Sequence, residues 1–306
     1  MFRFDQWRQV SLATTLVVIV CCSNVDLALG EEIIAAGAAV EKLADGFKFT
    51  EGPACDAVGN VFFTDQPNDR ILKWSTEGVL STFMEPSGRS NGLCFDAGGN
   101  LWACADEKNQ LWCIGPDKKV TVAVKEFRGK LLNAPNDLWI RPDGGIYFTD
   151  PYYKRSYWNR GPSEQDVQGV YFLSKKGKKL VRVVGDMKTP NGVIGTPDGK
   201  TLYVSDLGAK RTYAYDIQND GTLKNKRLFC SIGSDGMTID SEGNVYLTGK
   251  GVTVFDLAGR EIQRIDISTG WTANVCFGGR DMKTLFITTN KYLYSLRMRV
   301  RGVGSQ

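Results

Sequence analysis

Short apolar runs rich in β-branched and aromatic residues recur along the chain, separated by turns that contain aspartate, asparagine and glycine. The recurring unit is an apolar strand, a tight turn that begins with aspartate, and an aromatic-rich strand that ends in a polar residue. No helical periodicity of useful length interrupts these runs. The pattern therefore predicts a protein built almost entirely from β-hairpins.

The hairpin recurs six times at a regular interval. The starting residues of the six turns are Asp56, Asp96, Asp143, Asp198, Asp240 and Asp281. These aspartates lie 40, 47, 55, 42 and 41 residues apart, and such an interval accommodates the four short strands of a propeller blade. A two-sheet sandwich would not predict six copies in phase. We therefore expect an all-β fold, a six-bladed β-propeller over residues 31–306, whose last blade takes its outer strand from residues 32–43.

A polar residue precedes each turn aspartate by five or seven positions, and the difference of two preserves the direction of the side chain. The first strand of each blade lines the propeller axis, so equivalent positions form a ring at one mouth of the channel. The ring members are Glu51, Asn91, Asn136, Asn191, Asp235 and Asn274. Asn-Gly and Asp-Gly are also common turn formers, but a plain turn does not account for Glu51 or for six matches in phase.

The composition of this ring points to a hard metal ion. Two carboxylates and several amides that converge in a channel would repel each other or lack partners without a cation. Oxygen ligands of this kind suit Ca²⁺ better than Mg²⁺ or Zn²⁺, although another divalent cation stays open. The chain contains no histidine, which excludes Ser-His-Asp and Cys-His catalysis and histidine-ligated zinc. Its net charge of +4 is too small and too dispersed for a nucleic-acid interface.

Five motifs add a family resemblance. They are FTEGP at 49–53, LNAPND at 132–137, YFTDP at 147–151, TPNG at 189–192 and SDGM at 234–237. In this order and spacing they resemble the gluconolactonase, regucalcin (senescence marker protein) and luciferin-regenerating-enzyme family, from about residue 40 to residue 296. The resemblance implies a six-bladed, calcium-dependent propeller that hydrolyses lactones, in a family that also includes organophosphate hydrolases similar to diisopropylfluorophosphatase.

The same resemblance implies roles for individual residues. Glu51, Asn136, Asn191 and Asp235 would ligate the metal, and Asp235 would also be the catalytic carboxylate, as general base or nucleophile. Ala134 stands where animal regucalcins carry a sugar-binding arginine, so their substrate preference does not transfer. The motif around it looks more like that of bacterial gluconolactonases.

The long interval in the third repeat holds an aromatic and basic insertion, residues 151–169. It leaves the hairpin on the side of the ring, so it is expected either to cover the site as a lid or to pack as a surface loop. The candidate substrate-binding residues are Asn91, Asp150, Asp206, Asn274, Tyr152 and Arg155. For Asp150 and Asp206 the alternative is that they support or cap the strand ends.

Residues 1–30 have the pattern of an export signal. Arg3 and Arg8 precede an apolar run of 13 residues, and Ala28 and Gly30 supply small residues before a cleavage point. The alternative is an uncleaved N-terminal anchor. Export predicts a periplasmic or secreted protein.

Cleavage would leave six cysteines, which we expect to be buried free thiols, with a pair between Cys104 and Cys113 as one guess.

The sequence is also compatible with two other functions. The same metal site would also serve a phosphotriester hydrolase. A non-catalytic exported binding propeller with a structural calcium ion is the alternative from a different class.

Overall fold

The computed structural model describes residues 1–3 and 32–304. Most of the predicted export signal lies outside the described residues. Among those that are described, no helix is long and apolar enough to cross a membrane.

Residues from Glu32 onward form one compact unit of six four-stranded antiparallel sheets. The first strand of the chain is β1 (Glu41–Ala44). Blade 1 contains β2 (Thr50–Cys55), β3 (Val61–Asp65), β4 (Arg70–Trp74) and β5 (Leu80–Met84). Blade 2 contains β6 (Ser90–Phe95), β7 (Leu101–Ala105), β8 (Gln110–Ile114) and β9 (Val120–Val124). A two-stranded hairpin follows, β10 (Glu126–Phe127) and β11 (Lys130–Leu131).

The remaining blades repeat this order. Blade 3 contains β12 (Leu138–Ile140), β13 (Ile146–Asp150), β14 (Gly169–Leu173) and β15 (Leu180–Val184). Blade 4 contains β16 (Pro190–Gly195), β17 (Thr201–Asp206), β18 (Arg211–Ile217) and β19 (Leu223–Cys230). Blade 5 contains β20 (Met237–Ile239), β21 (Val245–Gly249), β22 (Gly251–Phe255) and β23 (Glu261–Ile265). Blade 6 contains β24 (Thr272–Gly278), β25 (Thr284–Thr289) and β26 (Leu293–Arg297). Short 3₁₀ helices occupy Gln66–Asn68, Asp106–Lys108 and Lys175–Gly177.

The ring closes as the sequence predicted. Strand β1 pairs antiparallel with β26 and becomes the outer strand of blade 6, and a further bridge joins Ile34 to Met298. Because β1 and β26 belong to one sheet, backbone hydrogen bonds hold the first and last strands of the propeller together. The prediction of a six-bladed β-propeller is confirmed.

The repeated aspartates shape the hairpins that define the blades. In all six turns the carboxylate accepts a hydrogen bond from the backbone N–H two residues later, at 2.9 to 3.1 Å. This side-chain turn fixes the reversal between the first and second strands of each blade. Aromatic and aliphatic side chains then fill the space between neighbouring sheets, with Phe63, Tyr147, Tyr171 and Tyr246 fully buried.

The cysteines are free, as expected, but the guessed pair is wrong. Cys104 lies opposite Leu111, and Cys113 lies opposite Trp102, so the strand register does not bring the two thiols together. All six cysteines in the described part of the chain are unbridged, and Cys55, Cys104, Cys230 and Cys276 are buried.

Candidate functional site

The ring residues lie at irregular points of the innermost strands. In blades 1, 2, 4 and 6 the pairing of the first two strands shifts register at the ring position, as between Glu51 and Ala54. In blades 3 and 5 the ring residue comes just before the strand, which begins at Leu138 or Met237. A bulge re-aims a side chain, so this irregularity directs the polar groups towards the channel. The Glu-Gly and Asn-Gly pairs are therefore not hairpin turns.

Glycine follows several ring residues because the next blade packs directly against that position. A Cβ added to Gly52 would collide with the carbonyl oxygen of Asn91, and one added to Gly236 would collide with the side chain of Asn274. Gly52 also has a φ of +44°, which disfavours other residues. The repeated glycine thus permits neighbouring ring residues to approach each other closely.

Direct hydrogen bonds link two pairs of neighbouring ring residues. Asn191 Nδ2 donates to Asp235 Oδ1 at 2.7 Å, and Asn274 Nδ2 donates to Glu51 Oε2 at 3.1 Å. Trp271 Nε1 donates to the second oxygen of Asp235 at 2.6 Å. Asp235 is therefore held by two donors, one from the neighbouring blade and one from the start of blade 6.

The electrostatics show a crowded group of buried carboxyls. Burial, followed by the charge of Asp235, raises the pKa of Glu51 well above its ordinary value. Burial raises the pKa of Asp235 to about 6, although hydrogen bonds from Trp271 and Asn191 oppose the rise. Burial also raises the pKa of the neighbouring Asp137 to about 7. A cation would relieve this repulsion and favour the ionised forms.

The amides of the ring fit such a cation. Asn191 Oδ1 is buried and accepts no hydrogen bond from the described residues, because the Nδ2 atom of the same amide takes both neighbouring partners. Asn136 is also buried in the ring, where its backbone N–H donates to Thr149 and its carbonyl accepts from Gly92. An orphaned carbonyl oxygen beside the carboxyl of Asp235 suits a hard cation that takes oxygen ligands.

Five of the six predicted ring residues are buried, including Asn91 and Asn274, and Asp235 is half-buried. The described residues contain no group of three or more His, Cys, Asp or Glu side chains arranged to hold one ion. A cation at this ring would consequently depend on amide oxygens in addition to Glu51 and Asp235.

The insertion of the third repeat lies on the ring side of the propeller. Residues 151–168 connect β13 to β14 without forming a strand. From this segment the hydroxyl of Tyr153 accepts a hydrogen bond from Asn191 Nδ2 at 2.9 Å. The guanidinium of Arg155 lies 5.0 Å from the centre of the Tyr153 ring. The segment therefore contacts the site itself, as the lid interpretation predicted.

Asp106 anchors this insertion from blade 2. Its buried carboxylate accepts hydrogen bonds from Tyr157 at 3.0 Å, from Trp158 at 2.7 Å and from Arg155 at 3.3 Å. The aromatic side chains thus pack on the propeller, as the surface-loop interpretation had it, while Tyr153 reaches the ring. Both interpretations of the insertion describe part of it.

Two of the candidate substrate residues have other partners. Arg155 pairs with Asp106. The backbone of Tyr152 donates to Gln168, and its ring lies 5.5 Å from that of Trp158. The neighbouring Tyr153, rather than Tyr152, supplies the contact with the ring of polar residues.

Asp150 and Asp206 hold the loops that lead into the ring. Asp150 accepts hydrogen bonds from the backbone N–H groups of Asn133 and Ala134, both at 2.9 Å. Asp206 does the same for Lys188 and Thr189, at 2.8 and 2.9 Å. Both carboxylates are buried, so their geometry favours the supporting role over contact with substrate.

An Asp150→Asn protein is expected to lose about 2 kcal/mol of stability, because an amide NH₂ would replace one acceptor of a buried backbone N–H. Urea unfolding monitored by tryptophan fluorescence measures this. Asp117→Asn is the control, since this exposed aspartate accepts a backbone hydrogen bond from Lys119 in the β8–β9 turn, and asparagine can accept the same bond. Equal midpoints for the two variants would contradict the supporting role.

Three residues of the site escaped the sequence analysis. Trp271 lies three positions before Asn274 and is the second donor, beside Asn191, that holds Asp235. Asp106 ends its strand as Asp150 does, yet it binds the insertion from another blade. The repeat did signal Asp106 as a strand-end aspartate, whereas nothing in the sequence distinguishes Tyr153 from its neighbour Tyr152.

The family model described as "SMP-30/Gluconolactonase/LRE-like region" matches residues 49–291. A gluconolactonase from Zymomonas mobilis is 26% identical over 302 residues, covering 89% of this chain and 85% of the relative. The solved structure of a gluconolactonase from Xanthomonas campestris is 30% identical, with a TM-score of 0.81, covering 87% of this chain and 91% of that one. The structure of a calcium-binding protein, regucalcin, from Agrobacterium tumefaciens has a TM-score of 0.75 at 20% identity, covering 88% of this chain and 96% of that one.

Proposed function

Because the chain belongs to the SMP-30/gluconolactonase/LRE-like family, we propose that it is a calcium-dependent lactonase whose catalytic carboxylate is Asp235. The gluconolactonases of Zymomonas and Xanthomonas support the reaction class, since each covers most of this chain. The observation that carries the proposal is the orphaned, buried Asn191 Oδ1 next to Asp235.

The donors of the ring support calcium as the cofactor. Glu51, Asn136, Asn191 and Asp235 would hold the ion, and all four offer the oxygen donors that calcium takes. Bound there, calcium would supply the positive charge that polarises a lactone carbonyl. The regucalcin of Agrobacterium, which shares the fold, is itself described as a calcium-binding protein.

Asp235 is placed to act on water. Its two oxygens are fixed by Asn191 and Trp271, so the carboxylate faces the site in one orientation. In the proposed step Asp235 takes a proton from water, whose oxygen bonds to the lactone carbonyl carbon. The ring C–O bond then breaks, its oxygen takes up a proton, and the product is a hydroxy acid. A carboxylate is a weak base, which suits an activated ester such as a lactone better than an amide.

The channel below the ring contains a cavity of about 120 Å³, lined by residues that include Asp137 and Asn274 as well as Val303 and Gly304. The insertion lies at the mouth of the channel, where Tyr153 contacts Asn191, so we place substrate entry there. The pattern of residues 1–30 supports export as part of this proposal, with the enzyme acting in the periplasm or outside the cell.

The test is acid release in a pH-stat with glucono-δ-lactone, other sugar lactones and a phosphotriester as substrates. We expect calcium-loaded protein to hydrolyse at least one sugar lactone well above the rate in buffer. Turnover of the phosphotriester alone would replace the proposal with an organophosphate hydrolase. Calcium binding without turnover of any of them would replace it with a binding propeller.

A further inference from the structure

Tyr153 stands apart from the other groups of the insertion because its hydroxyl lies inside the site. The oxygen is 2.9 Å from Asn191 Nδ2, and the same amide contacts Asp235 at 2.7 Å. The Tyr153 side chain is half-buried, between the propeller and the mouth of the channel. A substrate carbon attacked next to Asp235 would thus lie within reach of this hydroxyl.

The direction of the hydrogen bond leaves the hydroxyl proton of Tyr153 free. Asn191 Nδ2 is the donor, so the tyrosine oxygen accepts, and its own proton has no acceptor among the described residues. The other N–H donors next to Asp235 are already engaged. Trp271 Nε1 binds Asp235, and the amide of Asn191 is shared between Asp235 and Tyr153. The hydroxyl is therefore an available donor at the reaction centre.

The insertion holds Tyr153 in place before any substrate arrives. Arg155 lies over its ring and is itself bound to Asp106. Tyr157 and Trp158 bind the other oxygen of the same carboxylate. A hydrogen-bond donor that is already fixed needs no reorganisation to stabilise the charge that develops in the transition state. Tyr153 would therefore be an effective donor.

We propose that Tyr153 is a further catalytic residue, whose hydroxyl donates a hydrogen bond to the ring oxygen of the lactone as the C–O bond breaks. This inference rests on the proposed function. Negative charge develops on that oxygen as it leaves, and a hydrogen bond that strengthens with the charge lowers the barrier. Asp235 acts on the water oxygen, which forms a bond to the carbonyl carbon. Tyr153 acts on the ring oxygen, whose bond to that carbon breaks.

The role makes a prediction that depends on the leaving group. An aliphatic lactone releases an alkoxide, which needs a donor, whereas dihydrocoumarin releases a phenolate, which spreads its charge over the ring and needs the donor less. We expect Tyr153→Phe to lower kcat for glucono-δ-lactone about 10²-fold and kcat for dihydrocoumarin less than about threefold. Steady-state kinetics of the calcium-loaded full-length protein on both substrates measures the two ratios.

Two variants separate this role from a structural one. Tyr213→Phe removes a tyrosine hydroxyl on β18 in blade 4, outside the site, and should change neither rate. Tyr157→Phe weakens the anchor of the insertion and should lower both rates by a similar factor. Terbium luminescence, with Tb³⁺ replacing calcium, should give metal affinities for Tyr153→Phe and the unmodified protein that agree within about threefold.

The outcomes distinguish this inference from the function on which it rests. Equal losses on the two lactones, no loss on either, or a large fall in terbium affinity would each overturn the role of Tyr153 while leaving the lactonase intact. Failure of the unmodified protein to hydrolyse any of the lactones would refute the proposed function and the role of Tyr153 with it. A selective loss on the aliphatic lactone supports the inference.

Discussion

Replacing Asp235 with asparagine is expected to lower kcat on a sugar lactone by about 10³-fold or more, because an amide cannot accept a proton from water. The side chain keeps its size, and its neighbours Asn191 and Trp271 remain. Loss of a carboxylate from the ring should also weaken calcium binding. Activity is therefore measured in a pH-stat while calcium is raised until terbium competition shows the site to be saturated.

The saturating condition separates the two roles assigned to Asp235. If Asp235 is the general base, the rate of the variant stays low at any calcium concentration. If Asp235 is only a metal ligand, a higher calcium concentration fills the weakened site and restores the rate. Asp256→Asn is the matched control in the same blade, since this aspartate sits in the β22–β23 turn, where asparagine can accept the same backbone hydrogen bonds. Recovery of the full rate by the Asp235 variant at saturating calcium would reduce Asp235 to a metal ligand.

The fold could be predicted because contacts between residues close together in the sequence define its repeat. Each turn aspartate bonds the backbone two residues later, a contact that needs nothing from the rest of the molecule. Such a turn fixes strand boundaries, and six of them in phase fix the number of blades. The closure of the ring by β1 was predictable for a different reason, since an open ring would expose two sheet edges.

The sequence also predicted which residues form the polar ring, but not the backbone geometry around them. Strand parity placed Glu51 and Asp235 on the axis, yet the bulge at the ring and the collision that any Cβ on Gly236 would cause depend on the neighbouring blade. The sequence offered turn formation only as an alternative explanation of the repeated glycines, whereas the structure explains them by close packing between blades.

The residues that escaped prediction act across blades. Trp271 directly precedes blade 6 and donates a hydrogen bond to Asp235, which directly precedes β20 of blade 5. Asp106 of blade 2 accepts a hydrogen bond from Trp158 of the insertion in blade 3. Such contacts join residues 36 and 52 positions apart with no shared motif, so no local pattern announces them. Tyr153 and Tyr152 differ only in which of them faces Asn191, and that is decided by how the insertion folds back on Asp106.

Calcium is expected to raise the unfolding temperature of the metal-free protein by about 5–10 °C at neutral pH. A ligand at about 100 times its Kd stabilises the folded state by about 2.7 kcal/mol, and each kcal/mol shifts the midpoint by about 2–4 °C in a domain of this size. Differential scanning calorimetry after treatment with a chelator, with and without added calcium, measures the shift. The chelated protein should also lose its lactonase activity.

The shift should depend on pH in a direction set by the buried carboxyls. Burial raises the pKa of Asp235 to about 6 and that of Asp137 to about 7 in the folded, metal-free protein, against about 3.9 in an unfolded chain. Between about pH 4 and pH 7 the folded protein therefore keeps protons that the unfolded chain has released, so its stability falls as the pH rises. Bound calcium favours the ionised carboxylates, and its stabilisation should be larger at pH 8 than at pH 5.

Glu51→Gln tests the calcium site most directly. It should raise the unfolding temperature of the metal-free protein but reduce the further rise that calcium produces. Without metal, glutamine removes a buried carboxyl whose ionisation is opposed by burial and by the charge of Asp235, so the variant should unfold at a higher temperature than the unmodified protein at pH 8. With calcium the variant lacks one of the two ring carboxylates, so most of the calcium-dependent shift should disappear. Glu126→Gln, on the exposed side of β10, is the control and should leave both temperatures unchanged. If Glu51→Gln kept the full calcium shift, Glu51 would not be a ligand, and the ring would not be the calcium site.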